Sequence, residues 1–354
     1  MPAILAHVKW FSEFSFRDEP RTLAETVTPA FLALAALSFV VVAGLVPLDR
    51  WLERRDAYQR LNASLEARSN QSRLVMRIGT GMVLLLAWQA DLLLMPDLRV
   101  PAAWVGWLQF ALAALLLFRR TTVITGFGLL FLYALGIGMV GVYYMLDYIM
   151  VAGVGYYLVA TAAKNRTISA SALPALYATV GFSLCWVALE KIIWPDWGLY
   201  VLQQNPRLAL GLDTQFFLLA AAFIEFCLGY LLIINLLQRP LALVITLTFF
   251  ATTLVFGKTE VIGHTLIHAA LIVFLLEGPG RGFKPPIALH RKTGLRSAFA
   301  AVNLVLLLAL LLTVYAWGAE RMHEAAASRT SIASASSPIA SAAFLKRSAN
   351  TAIS

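Results

Sequence analysis

Residues 216–236 read FFLLAAAFIEFCLGYLLIINL, and Glu225 is their one charge. A helix rises ~1.5 Å per residue, so about 20 apolar residues cross a ~30 Å hydrocarbon core. This stretch is apolar on every face, which suits a helix surrounded by lipid and other helices rather than one facing water. A carboxylate in such a setting costs at least ~2.5 kcal/mol on insertion scales, so Glu225 marks both a membrane span and a candidate site.

Blocks of the same kind recur along the 354 residues. The chain is 60% hydrophobic and 13% charged, with mean hydropathy +0.76. A soluble domain carries roughly 25% charged residues, so too little polar surface is present to cover a water-facing globule. Spans are expected at 29–48, 75–95, 102–118, 122–141, 145–163, 172–194, 216–236, 240–257, 259–277 and 298–318. The expected fold is an all-α polytopic transmembrane bundle of about ten helices. The chain divides into an N-terminal arm (1–28), a first span with a basic loop (29–74), a four-helix unit (75–163), a second four-helix unit (164–277), a basic loop with the last span (278–318) and an Ala/Ser-rich tail (319–354). The tail cannot bury a core and is expected to be disordered.

The net charge of +9 does not point to nucleic acid, because the cations sit in loops between apolar blocks. Seventeen of the 28 Lys and Arg residues, from Arg50 to Arg296, fall in alternate loops on one side. By the positive-inside rule that side is cytoplasmic, which puts both termini on the outer, periplasmic face of a bacterial-type inner membrane. Met1–Pro20 has no basic segment leading into an apolar core, so it is not read as a signal peptide. Its Ile4–Phe16 portion suits either a disordered arm or an amphipathic helix in the outer interface, anchored by Trp10 and Phe11. Cys185 and Cys227 lie at similar depth in apolar segments and read as core residues or as a redox pair; no disulfide framework follows from two such residues.

Two segments match when aligned on Pro-Asp: Trp88…Asp91…Pro96-Asp97 and Trp186…Glu190-Lys191…Pro195-Asp196. The alignment places Asp91 over Glu190 and suggests a tandem repeat of parallel four-helix units, spans two to five and six to nine.

Ionisable residues in or near spans are the functional candidates: Asp91, Asp147, Glu190, Lys191, Glu225, Glu260, His264 and His268. All fall in the outer half. Glu260, His264 and His268 recur every four residues and share a helix face. Imidazole with carboxylate suits zinc, iron or copper. It equally suits a proton relay through Glu225 and His268, a quinone pocket also drawing on Glu190, Lys191, Asp91 and Asp147, or histidines bonded within the bundle. Glu190 and Lys191 also fit an outer-edge ion pair, and Asp147 a solvated helix start. Gly136-x-Gly138-x-x-Gly141 ends a span with no strand before it and does not imply dinucleotide binding.

Gly181…Glu190-Lys191…Pro195, the polar loop 198–213, Glu225-x3-Gly229 and the Arg239 turn resemble the DoxX/DoxD group of four-helix membrane proteins. Glutamate precedes the lysine, and the second glycine of the group's first helix is missing. The resemblance implies membrane oxidation of sulfur compounds with electrons passed to quinone, or a role in redox homeostasis. Three functions follow as expectations: a redox-linked protein binding quinone or a metal ion in an outward-facing Glu/His pocket, a small-solute or metal-ion transporter, or a non-catalytic subunit of a membrane complex. For the last, small-residue faces such as Gly126-x-Gly128 and Gly153-x-Gly155 suit helix packing and oligomers.

Overall fold

A computed structural model describes residues 8–12, 14–279 and 292–335, with side chains to residue 328. The described residues form an all-α polytopic bundle. Twelve helices frame it: α1 (Pro29–Glu53), α2 (Asp56–Glu66), α3 (Ser72–Gln89), α4 (Ala103–Leu115), α5 (Thr122–Val140), α6 (Val142–Ala160), α7 (Arg166–Ile193), α8 (Pro195–Gln204), α9 (Thr214–Ile233), α10 (Gln238–Phe256), α11 (Lys258–Glu277) and α12 (Thr293–Ala335).

Among the described residues, eight helices are long and apolar enough to cross a membrane: α1, α5, α6, α7, α9, α10, α11 and α12. The chain is therefore a multi-pass membrane protein. The two other expected spans take shorter forms. Helix α3 opens with Arg73 and Arg77 in its first turns, and α4 has 13 residues, ~20 Å of helix. Between them the chain leaves helical geometry, with positive φ at Asp91 and Leu94. Buried Gln109 of α4 holds this segment by accepting from the Leu94 amide (3.1 Å) and donating to the Leu92 carbonyl (2.8 Å). An apolar run counted along the sequence does not reveal such a fold-back, because Leu92–Met95 are as buried as any span residue.

Junctions after α3, α5, α7 and α10 lie at one end of the bundle, here the acidic end. Junctions after α4, α6, α9 and α11 lie at the other, the basic end. Arg239 at the basic end is buried and donates to the carbonyls of Leu275 (2.8 Å) and Leu276 (3.2 Å), capping the C-terminus of α11.

Helix α3 packs on α4 and α5 on α6; correspondingly α7 packs on α9 and α10 on α11. The two sets then close reciprocally, α6 against α7 and α11 against α3. Gly141 (φ 90°) and Gly257 (φ 65°) make the α5–α6 and α10–α11 junctions. Helices α1 and α12 pair with each other and lean on α9 and α7.

Both chain ends depart from expectation. The arm does not lie along an interface: Val8–Trp10 form a 3-10 turn inserted into the acidic end, with Val8 and Lys9 buried. There Lys9 meets two buried carboxylates, Asp147 and Glu190. Helix α12 continues through residues 319–335, where disorder was expected. Ala-rich sequence has high helix propensity once a long helix is already nucleated. Residues 1–7 and 336–354 lie outside the described residues, as does the basic loop 280–291.

Candidate functional site

The acidic end holds a sealed cluster of charges. Lys9 Nζ bridges Asp147 Oδ2 (2.6 Å) and Glu190 Oε2 (2.7 Å). Lys191 Nζ pairs with Glu225 Oε2 at 2.7 Å. Glu260 pairs with His264 one turn along α11. The six charged residues Lys9, Asp147, Glu190, Lys191, Glu225 and Glu260 are each at most 3% exposed. Neighbouring Glu190 and Lys191 thus serve different partners, Glu190 the arm and Lys191 helix α9, rather than each other.

Local geometry accounts for these pairings. Side chains on a helix lean toward its N-terminus, so Lys191 leans back toward the basic end and Glu225, on antiparallel α9, leans toward the acidic end. They meet between the helices. The crossing is close because Gly181 and Gly229 face each other there. A Cβ on Gly181 would stand 2.5 Å from the Gly229 carbonyl oxygen, and a Cβ on Gly229 2.5 Å from that of Gly181.

Aromatic rings wall the Lys9 ammonium. Tyr144 lies 4.7 Å from it, Trp197 5.8 Å and Phe16 5.9 Å, as centroid distances. Burial alone pushes the Lys9 pKa down, but the carboxylates of Asp147 and Glu190 reverse this, and the net displacement is upward. Trp10 beside it donates to the Tyr148 hydroxyl (3.0 Å), which donates to Asp97 (2.6 Å). Its ring lies 5.0 Å from that of His264. Gly263 supplies the slot, since a Cβ there would come within 2.0 Å of the indole. A cavity of about 40 Å³ lies among Trp10, Asp147, Tyr148, Glu225 and His264, enough for water but for nothing larger.

The structure sorts the candidates. It brings Asp147, Glu190, Lys191, Glu225, Glu260 and His264 together. Asp147 is a buried ion-pair partner rather than a solvated helix start. Asp91 stays outside: it is exposed in the segment after α3, so its alignment with Glu190 has no counterpart in space. Asp97, from the same Pro-Asp pair, is the residue that reaches the site. His268 sits one turn deeper than His264, half-buried between Phe249 and Phe250. Its Nδ1 has no hydrogen-bond partner among the described residues. His264 is instead stacked on Phe249, ring centroids 4.2 Å apart. Among the described residues no group of three or more His, Cys, Asp and Glu side chains is placed to hold a metal, so the Glu260/His264/His268 set does not form one. Cys185 and Cys227 are both free thiols. Lys9, Trp10, Asp97 and Tyr148 were not read as site residues; a lone lysine among aromatics in 4–16 was the signal for the first two.

The glycine crossing and the Lys191–Glu225 pair use the motif residues singled out in the sequence, and they lie in one contiguous segment. Residues 180–258 match the DoxX family model. The DoxX segment runs from within α7, through α8, α9 and α10, to the first residue of α11, well under half of the chain. It contributes Glu190, Lys191 and Glu225 to the cluster, while Lys9, Asp147, Glu260 and His264 come from outside it. No curated protein matches the chain, and no solved structure does.

Proposed function

We propose that this DoxX-like chain is a redox-linked membrane protein whose acidic end exchanges a proton beside a quinone headgroup. The observation that carries this reading is the charge balance of the buried cluster. Four carboxylates (Asp147, Glu190, Glu225, Glu260) face two ammonium groups (Lys9, Lys191), and His264 adjoins them. That leaves a surplus of two negative charges, which is expensive out of water, and a proton taken up within the cluster halves it. Such a cluster stores a proton and gives it up when a neighbouring acceptor turns basic.

His268 is the group such an acceptor would meet. It is half-buried beside Phe250, which is 58% exposed on the bundle's outer surface where lipid-soluble molecules arrive. A quinone carbonyl accepting from His268 would lie one helical turn from the His264–Glu260 pair. Reduction to quinol takes up two electrons and two protons; a reduced sulfur compound or a partner redox subunit would supply the electrons. The cation distribution favours an orientation with the acidic end and both termini outside, in a bacterial-type inner membrane.

An apolar core argues against transport. Among the described residues, Val154, Leu176, Val180, Leu271 and Phe274 fill the core between the acidic cluster and the basic end.

The test is organic extraction of the purified protein with quantification of quinone, for wild type and His268→Ala. About one quinone per chain, lost in the variant, supports the reading. A wild-type protein with none, and no saturable binding of added quinone, overturns it.

A further inference from the structure

We propose that the basic end carries a binding site for a phosphate-class polyanion, in a crevice where three helix N-termini converge. Two adjoining cavities of about 610 and 890 Å³ share Asn70, Arg73, Arg119, Tyr157, Thr161 and Ser169. The smaller one adds Arg77, Thr122 and Lys164 and has no carboxylate in its wall; the larger adds Arg166 together with Glu66 and Glu277. The volumes lie in the range of ligand sites, about 300–1,000 Å³.

The positive-inside rule accounts for cations at this end but not for their convergence on one crevice. Among the described residues Arg73, Arg119, Lys164 and Arg166 take part in no ion pair, while Arg77 is spent on the Leu116 carbonyl. Helices α3, α5 and α7 all begin here. Arg73 in the first turn of α3, Thr122 opening α5 and Arg166 opening α7 each line the crevice. Neither α3 nor α5 has a side-chain cap, and each continues from a short 3-10 turn that brings its positive dipole end to the crevice.

A separate observation points the same way. Thr122 is 8% exposed, yet its Oγ1, in the crevice wall, has no hydrogen-bond partner among the described residues. A hydroxyl so buried normally has a partner, and a phosphate oxygen is an acceptor for it. Arginines fork onto phosphate oxygens, and Tyr157, Ser169 and Asn70 add neutral donors. The ligand chemistry is thus a phosphoryl group, carried either by an anionic phospholipid headgroup seated between helices or by a soluble phosphorylated compound.

The experiment is thermal unfolding of the full chain in nanodiscs with two probes. One is pyrophosphate added to zwitterionic discs; the other is replacement of a fifth of the lipid by a two-phosphate anionic phospholipid. Either probe should raise the wild-type Tm by about 3 °C or more over chloride at equal ionic strength. Arg73→Gln/Arg119→Gln should abolish the rise, while Arg54→Gln/Arg60→Gln, at exposed cations of the same end outside the crevice, should keep it. A response to the lipid alone assigns the headgroup, and a response to pyrophosphate alone assigns a soluble ligand. No rise with either probe, or equal rises in wild type and the crevice variant, overturns the proposal. Lys164→Gln/Arg166→Gln, two exposed residues, decides the matter should the first variant fail to fold.

Discussion

Lys9 and Asp147, 138 positions apart in the chain, meet through a buried 2.6 Å ion pair. Removing one partner of a buried pair leaves an uncompensated charge, at about 3–5 kcal/mol. Lys9→Met should therefore destabilise the protein by that order in detergent unfolding, and adding Asp147→Asn should recover part of the loss. Full stability in Lys9→Met would mean that the arm is not docked in the membrane-embedded protein.

The Lys9 pair also predicts a pH window. Its pKa is displaced upward, so its stabilisation is fully present below the ordinary lysine value of about 10.4 and fades only as pH rises through the higher folded value. Wild type should show an alkaline loss of Tm beginning above about pH 10 that Lys9→Met lacks. A matching alkaline loss in the variant would assign it to other groups.

Gly263 tests the arm without touching a charge. Any side chain there collides with the Trp10 ring, so Gly263→Ala should release the arm and speed tryptic cleavage at exposed Arg17 several-fold. Unchanged cleavage would show that the indole seats elsewhere.

Lys191 and Glu225 call for a double-mutant cycle. Lys191→Met alone should cost about 3–5 kcal/mol, and Lys191→Met/Glu225→Leu substantially less, because the second change removes the orphaned carboxylate. Additive losses would argue against direct coupling across the DoxX segment.

Gly181→Ala and Gly229→Ala should each push α7 from α9, at about 1–3 kcal/mol. Their combination should fall short of additive, since the first substitution already separates the helices. Full additivity would place the two glycines in independent contacts.

Hydropathy made the helical, membrane-spanning class legible, because apolar runs such as 216–236 have no soluble alternative. It also placed Glu190, Glu225 and Glu260 at one end, since depth follows from position along a helix. Partnerships were not legible: nothing local in the arm says that Lys9 meets Asp147 and Glu190, and a lone lysine outside every span triggers no membrane rule. Spacing misled at His268, where a shared helix face with His264 did not bring the two rings onto one centre; Phe249 and Phe250 of the adjacent helix separate their surroundings. It misled again at Asp91, because the chain leaves helical geometry there and presents Asp97 instead.

The long reach of Lys9 also sets an order of events during biosynthesis. The lysine is made before its partners on α6 and α7, which follow 138 and more positions later. Until both helices are inserted, the arm has nowhere to dock and waits as an unsealed end, while Asp147 and Glu190 enter the bilayer without their counter-ion. Arm closure is therefore a terminal step of assembly: a chain arrested before α7 cannot complete it, and a protease or quality-control factor probing the arm would read whether the bundle has been finished.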